Sequence, residues 1–229
     1  MIACIAPQRE GIRHRVPIVG GPCEGCEAVF QGLPSQLSSV ARIAPPDERG
    51  EPMRIEGKVL DRNGAPAAGT IVYAYHANVD GVYPPAERFR GRAAYRHGRL
   101  RGWARADAQG RYRFETVRPG GYPDSETPQH VHMHVIEPGR CTYYIDSIVF
   151  TDDPRLTPEK RRRYERGRGG SAVVTPRRDS RGVWVVTRNI VLGRGIGDDR
   201  ACLAQDETTH NGAADRGEDG ASGPHDRSR

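Results

Sequence analysis

The sequence predicts an all-β fold, a β-sandwich of short antiparallel strands with one short helix, and three observations predict it. Apolar and polar residues alternate in several short runs. Turn signals recur about every 8 to 12 residues. Gly (28) and Pro (18) together fill about a fifth of the 229 positions, and only 36% of residues are hydrophobic. Gly and Pro are poor in helix interiors, so a long helical bundle is excluded.

Taken in order, residues 1–50 read as an irregular N-terminal arm with little periodicity. Residues 51–195 read as the β-sandwich domain, and 196–229 as a disordered tail with too few apolar residues to offset chain entropy. Within the domain, Arg54 to Leu60 alternates, Asp61-Arg-Asn-Gly64 turns the chain, and Thr70 to His76 alternates again. Arg101 to Ala106 and Arg111 to Glu115 flank Asp107-Ala-Gln-Gly110 and read as a hairpin. His130 to Ile136, Thr142 to Phe150 and one or two strands within Gly182 to Leu192 follow. Thr157 followed by Pro158 is a helix start, which places the one helix at 157–165.

Arginine supplies nearly all of the positive charge, since Lys58 and Lys160 are the only lysines and the formal net charge is +6. No aromatic stacking platform accompanies Lys160 to Arg163 or Arg166 to Gly170, so a nucleic-acid partner is not expected, and Lys160 to Arg163 reads as a solvated helix face. No apolar run approaches the roughly 18 residues of a membrane span. Met1 to Pro7 is too short for a secretory signal, so a cytoplasmic location is expected, with export if the true start lies upstream. Five cysteines form no framework spacing, and Cys23-x-x-Cys26 reads either as an incidental pair or as a local disulfide or metal clip.

Chemistry concentrates in Pro128-Gln-His-Val-His-Met-His134. Residues two apart on a strand share a face, so His130, His132 and His134 point the same way. Such a face is a metal-ligating surface or simply a polar one. Three of eight histidines on a single face favour the metal. Tyr83 and Tyr122 sit in loops, each followed by Pro, whereas Tyr73 and Tyr75 lie in an alternating strand and read as core.

His76-Ala-Asn78 with Gly81 and Tyr83, Arg105 to Phe114, Arg118-Pro-Gly-Gly-Tyr-Pro123 and Pro128-Gln-His-Val-His132 together resemble the intradiol ring-cleavage dioxygenases, the family of the catechol and protocatechuate enzymes. The resemblance covers roughly Ile55 to Asp153. It implies a non-haem Fe(III) cofactor held by Tyr83, Tyr122, His130 and His132. It further implies that Tyr83 is the retained tyrosinate, that Tyr122 is the catalytic one displaced by substrate, and that His134 is not a ligand. The partners implied are a small aromatic diol and O2, with self-association open. Phenolate is a hard anionic donor suited to ferric iron. Phenol ionises near pH 10, so the cation must lower that value by several units. Two phenolates and one hydroxide balance a trivalent charge, which lets the site be buried. The product implied is a muconate-type diacid, formed without an external reductant.

The chain departs from the family pattern before the histidine pair, where Thr127 stands in place of an arginine. Arg118, or an arginine between Arg88 and Arg101, is the candidate substitute. The six arginines of that stretch read equally as a rim for carboxylated aromatics or as a solvated loop. The N-terminal helical dimerisation region of the larger enzymes is missing, which implies a small, open-sited member. The glycine-anchored turns also resemble transthyretin-like regulatory modules, so a non-catalytic β-sandwich binding module is the alternative.

Overall fold

The computed structural model describes residues 18–20 and 25–197. The expected tail, apart from Ile196 and Gly197, lies outside the described residues, as do Cys4, Cys23 and Cys202. Twelve strands run in chain order: β1 (Ile18–Val19), β2 (Val40–Arg42), β3 (Pro52–Leu60), β4 (Ile71–Tyr75), β5 (Arg101–Arg105), β6 (Arg111–Val117), β7 (His130–Ile136), β8 (Thr142–Phe150), β9 (Val173–Val174), β10 (Arg177–Arg178), β11 (Trp184–Thr187) and β12 (Ile190–Val191). They form two six-stranded sheets. The first has the order β1-β8-β7-β4-β5, with β9 also on β8; the second has β10-β11-β3-β6-β2, with β12 also on β3. The long strands pair antiparallel, as expected. Most short ones do not: β1 and β9 join β8, β11 and β12 join β3, and β2 joins β6, all parallel, while β10 pairs antiparallel with β11.

Alternation places one side of each sheet in the core. Ile55, Val59, Tyr112 and Phe114 of the second sheet meet Val72, Ala74, Val131, Met133 and Ile145 of the first, all buried. Full burial of each large apolar side chain contributes about 1.5–3 kcal/mol. β4 is buried on both faces, because its other side carries Tyr73 and Tyr75 beneath a cover of loops. The first of these covering pieces is a 3-10 turn, Cys26–Phe30, belonging to the segment that reads as irregular in sequence.

The turn at Asp107–Gly110 does not make a hairpin within one sheet. β5 pairs with β4 while β6 pairs with β3, so the turn is a corner between the two layers. Asp61–Gly64 is a second such corner, joining β3 to β4. The local chemistry is nevertheless what the sequence implies. Asp107 Oδ1 accepts the amides of Gln109 and Arg111, both at 2.9 Å, and Asp61 Oδ1 accepts those of Asn63 and Ala65, both at 2.8 Å. Asp-x-x-Gly therefore specifies the reversal; the facing apolar surfaces decide that the strands then diverge.

Two α-helices occur among the described residues. α1 (Ala93–Arg96) is a single turn, and α2 (Pro158–Glu165) is the expected helix, with the Thr157 hydroxyl accepting the Lys160 amide at 3.3 Å. Arg161, Arg162 and Arg163 are exposed, in keeping with a solvated face, whereas Lys160 is half-buried and donates to the Glu126 and Arg155 carbonyls. None of the described helices is long and apolar enough to cross a membrane. Cys26 and Cys141 are both disulfide-bonded, which favours a disulfide over an incidental role for Cys26.

Two buried imidazoles tie stability to pH. His76 donates Nδ1–H to the Ala77 carbonyl at 2.7 Å and accepts from the Thr116 hydroxyl at 2.6 Å. Burial lowers its pKa to about 4. His97 accepts from the Tyr73 hydroxyl at 2.8 Å, and burial followed by the nearby Arg101 charge lowers its pKa to about 3. In the unfolded chain both protonate near 6.5. Between these values the unfolded state holds more protons, so this stability is fully present above about pH 6.5 and falls as pH drops towards 4, by at most about 1.4 kcal/mol per unit for each histidine. Thermal melts at pH 7 and pH 5 are expected to show a clearly lower Tm at pH 5; equal values would contradict the assignment.

Candidate metal centre

The outer face of the first sheet carries the site. His130 and His132 lie on β7, directed away from the core that Val131 and Met133 fill. Their Nε2 atoms are 3.1 Å apart. Each ring is oriented by its other nitrogen: His130 Nδ1 donates to the Pro128 carbonyl at 2.7 Å, and His132 Nδ1 lies 3.1 Å from the Ser147 hydroxyl. A β-bulge makes the second contact. The β7–β8 register shifts between Val131 and Met133, so that Asp146 and Ser147 together face His132 and Ser147 turns towards it. Both Nε2 atoms are thus left to converge on one point.

The two loop tyrosines meet them there. The Tyr83 and Tyr122 hydroxyls are 2.5 Å apart. Tyr122 Oη is 3.0 Å from His130 Nε2 and 3.5 Å from His132 Nε2, and Tyr83 Oη is 2.9 Å from His132 Nε2. Four donor atoms from three separated segments therefore converge. Among the described residues no group of three or more His, Cys, Asp or Glu could hold a metal, because half of this cluster is phenol.

Glycine backbone brings the two loops together. Asn78 closes the first loop by accepting the amides of Asp80 and Val82 on its side-chain oxygen, at 3.1 and 3.0 Å. The Gly120 amide then donates to the Asn78 carbonyl at 2.9 Å. A Cβ on Gly120 would stand 2.1 Å from the Val79 carbonyl oxygen, and one on Gly81 would stand 2.0 Å from that of Gly121. Only bare backbone permits this approach.

Burial dominates the electrostatics. It raises the Tyr83 phenol pKa far above the ordinary value, with the Tyr122 side chain adding to the effect, and it raises that of Tyr122 as well. It lowers the pKa of His130 and, more strongly, of His132. All four groups are neutral at pH 7 and share hydrogen bonds only among themselves at the convergence point. A hard cation suits this set, since it would ionise the phenols and ligate neutral imidazole. Tyr83, Tyr122 and His132 are only half-buried, so the cluster opens to solvent on one side.

Other sequence expectations meet mixed outcomes. His134 is fully buried 5.1 Å (ring centroids) from Tyr144 and contributes nothing to the convergence point. Arg118 is held at the flank by Asp152, at 2.7 and 2.9 Å, and by Gln129 at 3.2 Å, so it does not stand in for the family arginine. The arginine stretch is engaged elsewhere. Arg88 lies over Phe89, Arg90 pairs with Glu87, Arg99 pairs with Glu48, and buried Arg101 bonds the carbonyls of Ala28 and Gln31.

Two residues at the site were not legible in the sequence. Tyr75, opposite His132 in the β4–β7 ladder, is sandwiched between His132 (ring centroids 4.5 Å, 14°) and His97 (3.7 Å, 7°). It is thus both core, as its strand position implies, and a wall of the site. Arg155 donates to the Tyr122 carbonyl at 3.1 Å. Strand alternation signals the face of Tyr75, but no local pattern signals its partner or the reach of Arg155.

The family model described as "Dioxygenase" matches residues 30–161, more than half of the chain. The chain belongs to the intradiol ring-cleavage dioxygenase family. Among its relatives, the protocatechuate 3,4-dioxygenase beta chain of Burkholderia cepacia is 31% identical over 121 residues, covering 47% of this chain and 48% of the relative. Catechol 1,2-dioxygenase 1 of Acinetobacter lwoffii is 33% identical over 149 residues, covering 62% and 45%. The chain thus spans about half the length of these curated relatives. The fold agrees with 3-chlorocatechol 1,2-dioxygenase of Rhodococcus opacus 1CP (TM-score 0.53, 18% identity, 70% of this chain and 66% of that one). It also agrees with the dioxygenase domain of a dioxygenase–carbohydrate-binding protein fusion from Streptomyces sp. SirexAA-E (TM-score 0.51, 20% identity, 71% and 94%).

In this family member the loop approach is a structural weak point. Gly120→Ala is expected to cost about 1–3 kcal/mol, read as a lower urea midpoint, because carbonyl backbone cannot give way as a side chain can. Gly197→Ala faces open space and should leave the midpoint unchanged. A wild-type midpoint for Gly120→Ala would refute the close-approach argument.

Proposed function

We propose that the chain cleaves a catechol-type aromatic with O2 between its two oxygen-bearing carbons, giving a muconate-type diacid with both oxygen atoms incorporated and no external reductant. The observation that carries this reading is the convergence of Tyr83, Tyr122, His130 and His132. These four residues would hold a non-haem Fe(III). When bound, ferric iron supplies Lewis acidity and draws electron density from the bound ring, which opens that ring to O2.

The protein's own groups have distinct tasks. His130 and His132 would ligate as neutral imidazoles, oriented by the Pro128 carbonyl and the Ser147 hydroxyl. Tyr83, whose ring is tilted against Tyr75 (ring centroids 6.1 Å, 46°), would be the less mobile phenolate. Tyr122 sits on an open loop and is the natural proton acceptor at its Oη when the diol arrives. The non-catalytic module remains the weaker reading, because its shared Asp-x-x-Gly turns give no reason for two phenols and two imidazoles to meet.

Purified protein loaded with ferric ion is expected to bind about one equivalent and turn red-brown from tyrosinate-to-iron charge transfer. Tyr122→Phe should shift that colour and lower kcat by about 10²–10⁴, and His132→Ala should lose the iron. A preparation that stays colourless after loading, with no O2 uptake on catechol, protocatechuate or hydroxyquinol, would end the enzyme reading.

The compartment is a separate question. The disulfides at Cys26 and Cys141 favour folding in an oxidising environment over the cytoplasmic location suggested by the first residues. Alkylation in denaturant should leave both cysteines unlabelled until reductant is added; labelling of both without reductant would favour the cytoplasm.

A further inference from the structure

The segment that joins Tyr122 to His130 has almost no framework of its own. Among the described residues, no backbone–backbone hydrogen bond involves residues 121–129. Asp124 adopts φ 52°, a region costly for a side chain with a Cβ, and the internal contacts reduce to Ser125 with the hydroxyl and amide of Thr127, at 2.9 and 3.1 Å. Such a loop should wander, yet it must deliver a phenol to within 3.0 Å of His130 Nε2.

Three side chains from one downstream segment hold its backbone instead. At the start, Arg155 Nη1 donates to the Tyr122 carbonyl at 3.1 Å. In the middle, Lys160 Nζ donates to the Glu126 carbonyl and, at 3.2 Å, to that of Arg155. At the end, the Gln129 amide donates to Asp153 Oδ2, while Asp153 Oδ1 accepts the Arg155 amide at 2.9 Å. Asp153 is only 6% exposed, so its carboxylate relies on these partners. The guanidinium of Arg155 also lies flush against Gly121: a Cβ there would stand 2.1 Å from Nη1. The chain has only two lysines, and one of them is spent on this loop.

We propose that Asp153, Arg155 and Lys160 form a clamp that positions Tyr122 against the histidine pair, and that Arg155 is its principal positioning residue. The inference rests on the ferric reading above for its catalytic meaning, but the clamp itself is a property of the metal-free chain. β7 holds the two imidazoles by sheet hydrogen bonds, whereas Tyr122 depends on side chains that can let go. The clamp therefore sets both where the phenol rests and how readily it departs.

The test uses full-length Arg155→Met and Lys160→Met, with Arg155→Lys as the conservative control. In metal-free protein, hydrogen exchange of the Thr127 and Gln129 amides, both of which donate a hydrogen bond, should speed up roughly tenfold in the two Met variants, while β7 and β8 amides keep wild-type rates. Arg155→Lys should recover part of the protection. In ferric-loaded protein the charge-transfer maximum should move in Arg155→Met, and kcat should fall more than KM changes. Wild-type loop exchange in both Met variants would overturn the clamp, as would acceleration spread equally over β7 and β8, which marks general destabilisation. If loop exchange responds but the wild-type protein takes up no iron, the clamp stands and the ferric reading fails.

Discussion

Two phenols and two imidazoles, neutral and largely withdrawn from water, face one another within 3.5 Å, and the rest of the architecture follows from that concentration of donors. Burial opposes ionisation of the phenols and protonation of the imidazoles alike. The arrangement suits a hard cation, which would ionise the phenols. The outward nitrogens of both histidines contact a carbonyl and a hydroxyl, which orients both rings towards the convergence point.

A sandwich serves this purpose because its two faces are independent. The inner face of the first sheet supplies the apolar core, and the same strands present tyrosine and histidine outwards. Loops and the 3-10 turn at Cys26–Phe30 then roof the outer face, with Trp103 donating to the Val29 carbonyl at 2.7 Å and Arg101 to that of Ala28 at 3.1 Å. Tyr75 links this roof to the site by stacking between His97 and His132, so the His132 ring inherits the rigidity of a buried aromatic column.

The four candidate ligands differ in how they are held. The imidazoles ride on a central strand with ladders on both sides. Tyr83 leans on an Asn78-capped turn and on Tyr75, and Tyr122 on backbone contacts between glycines and on the side chains of the 153–160 segment. This gradient in stiffness matches a division of labour in which one phenolate stays and the other yields. In the arginine stretch after Tyr83, Arg101 secures the roof and Arg99 pairs with Glu48.

The sequence by itself determined whatever local chemistry controls. The two-residue repeat of a strand put His130 and His132 on one face, Asp-x-x-Gly at 61–64 and 107–110 reversed the chain, and Thr157-Pro158 opened a helix. Even the meeting of Tyr83 with the histidine pair was legible, through family likeness rather than spacing. Tertiary structure alone decided that the Asp107–Gly110 turn crosses between sheets, that short parallel strands complete both sheets, that Arg118 is absorbed by Asp152, and that Tyr75 and Arg155 border the site. Those outcomes depend on which distant surfaces are apolar, on a bulge that turns Ser147 towards His132, and on the reach of flexible cations to backbone carbonyls. No short-range period encodes them, because each is settled by contacts between segments far apart along the chain.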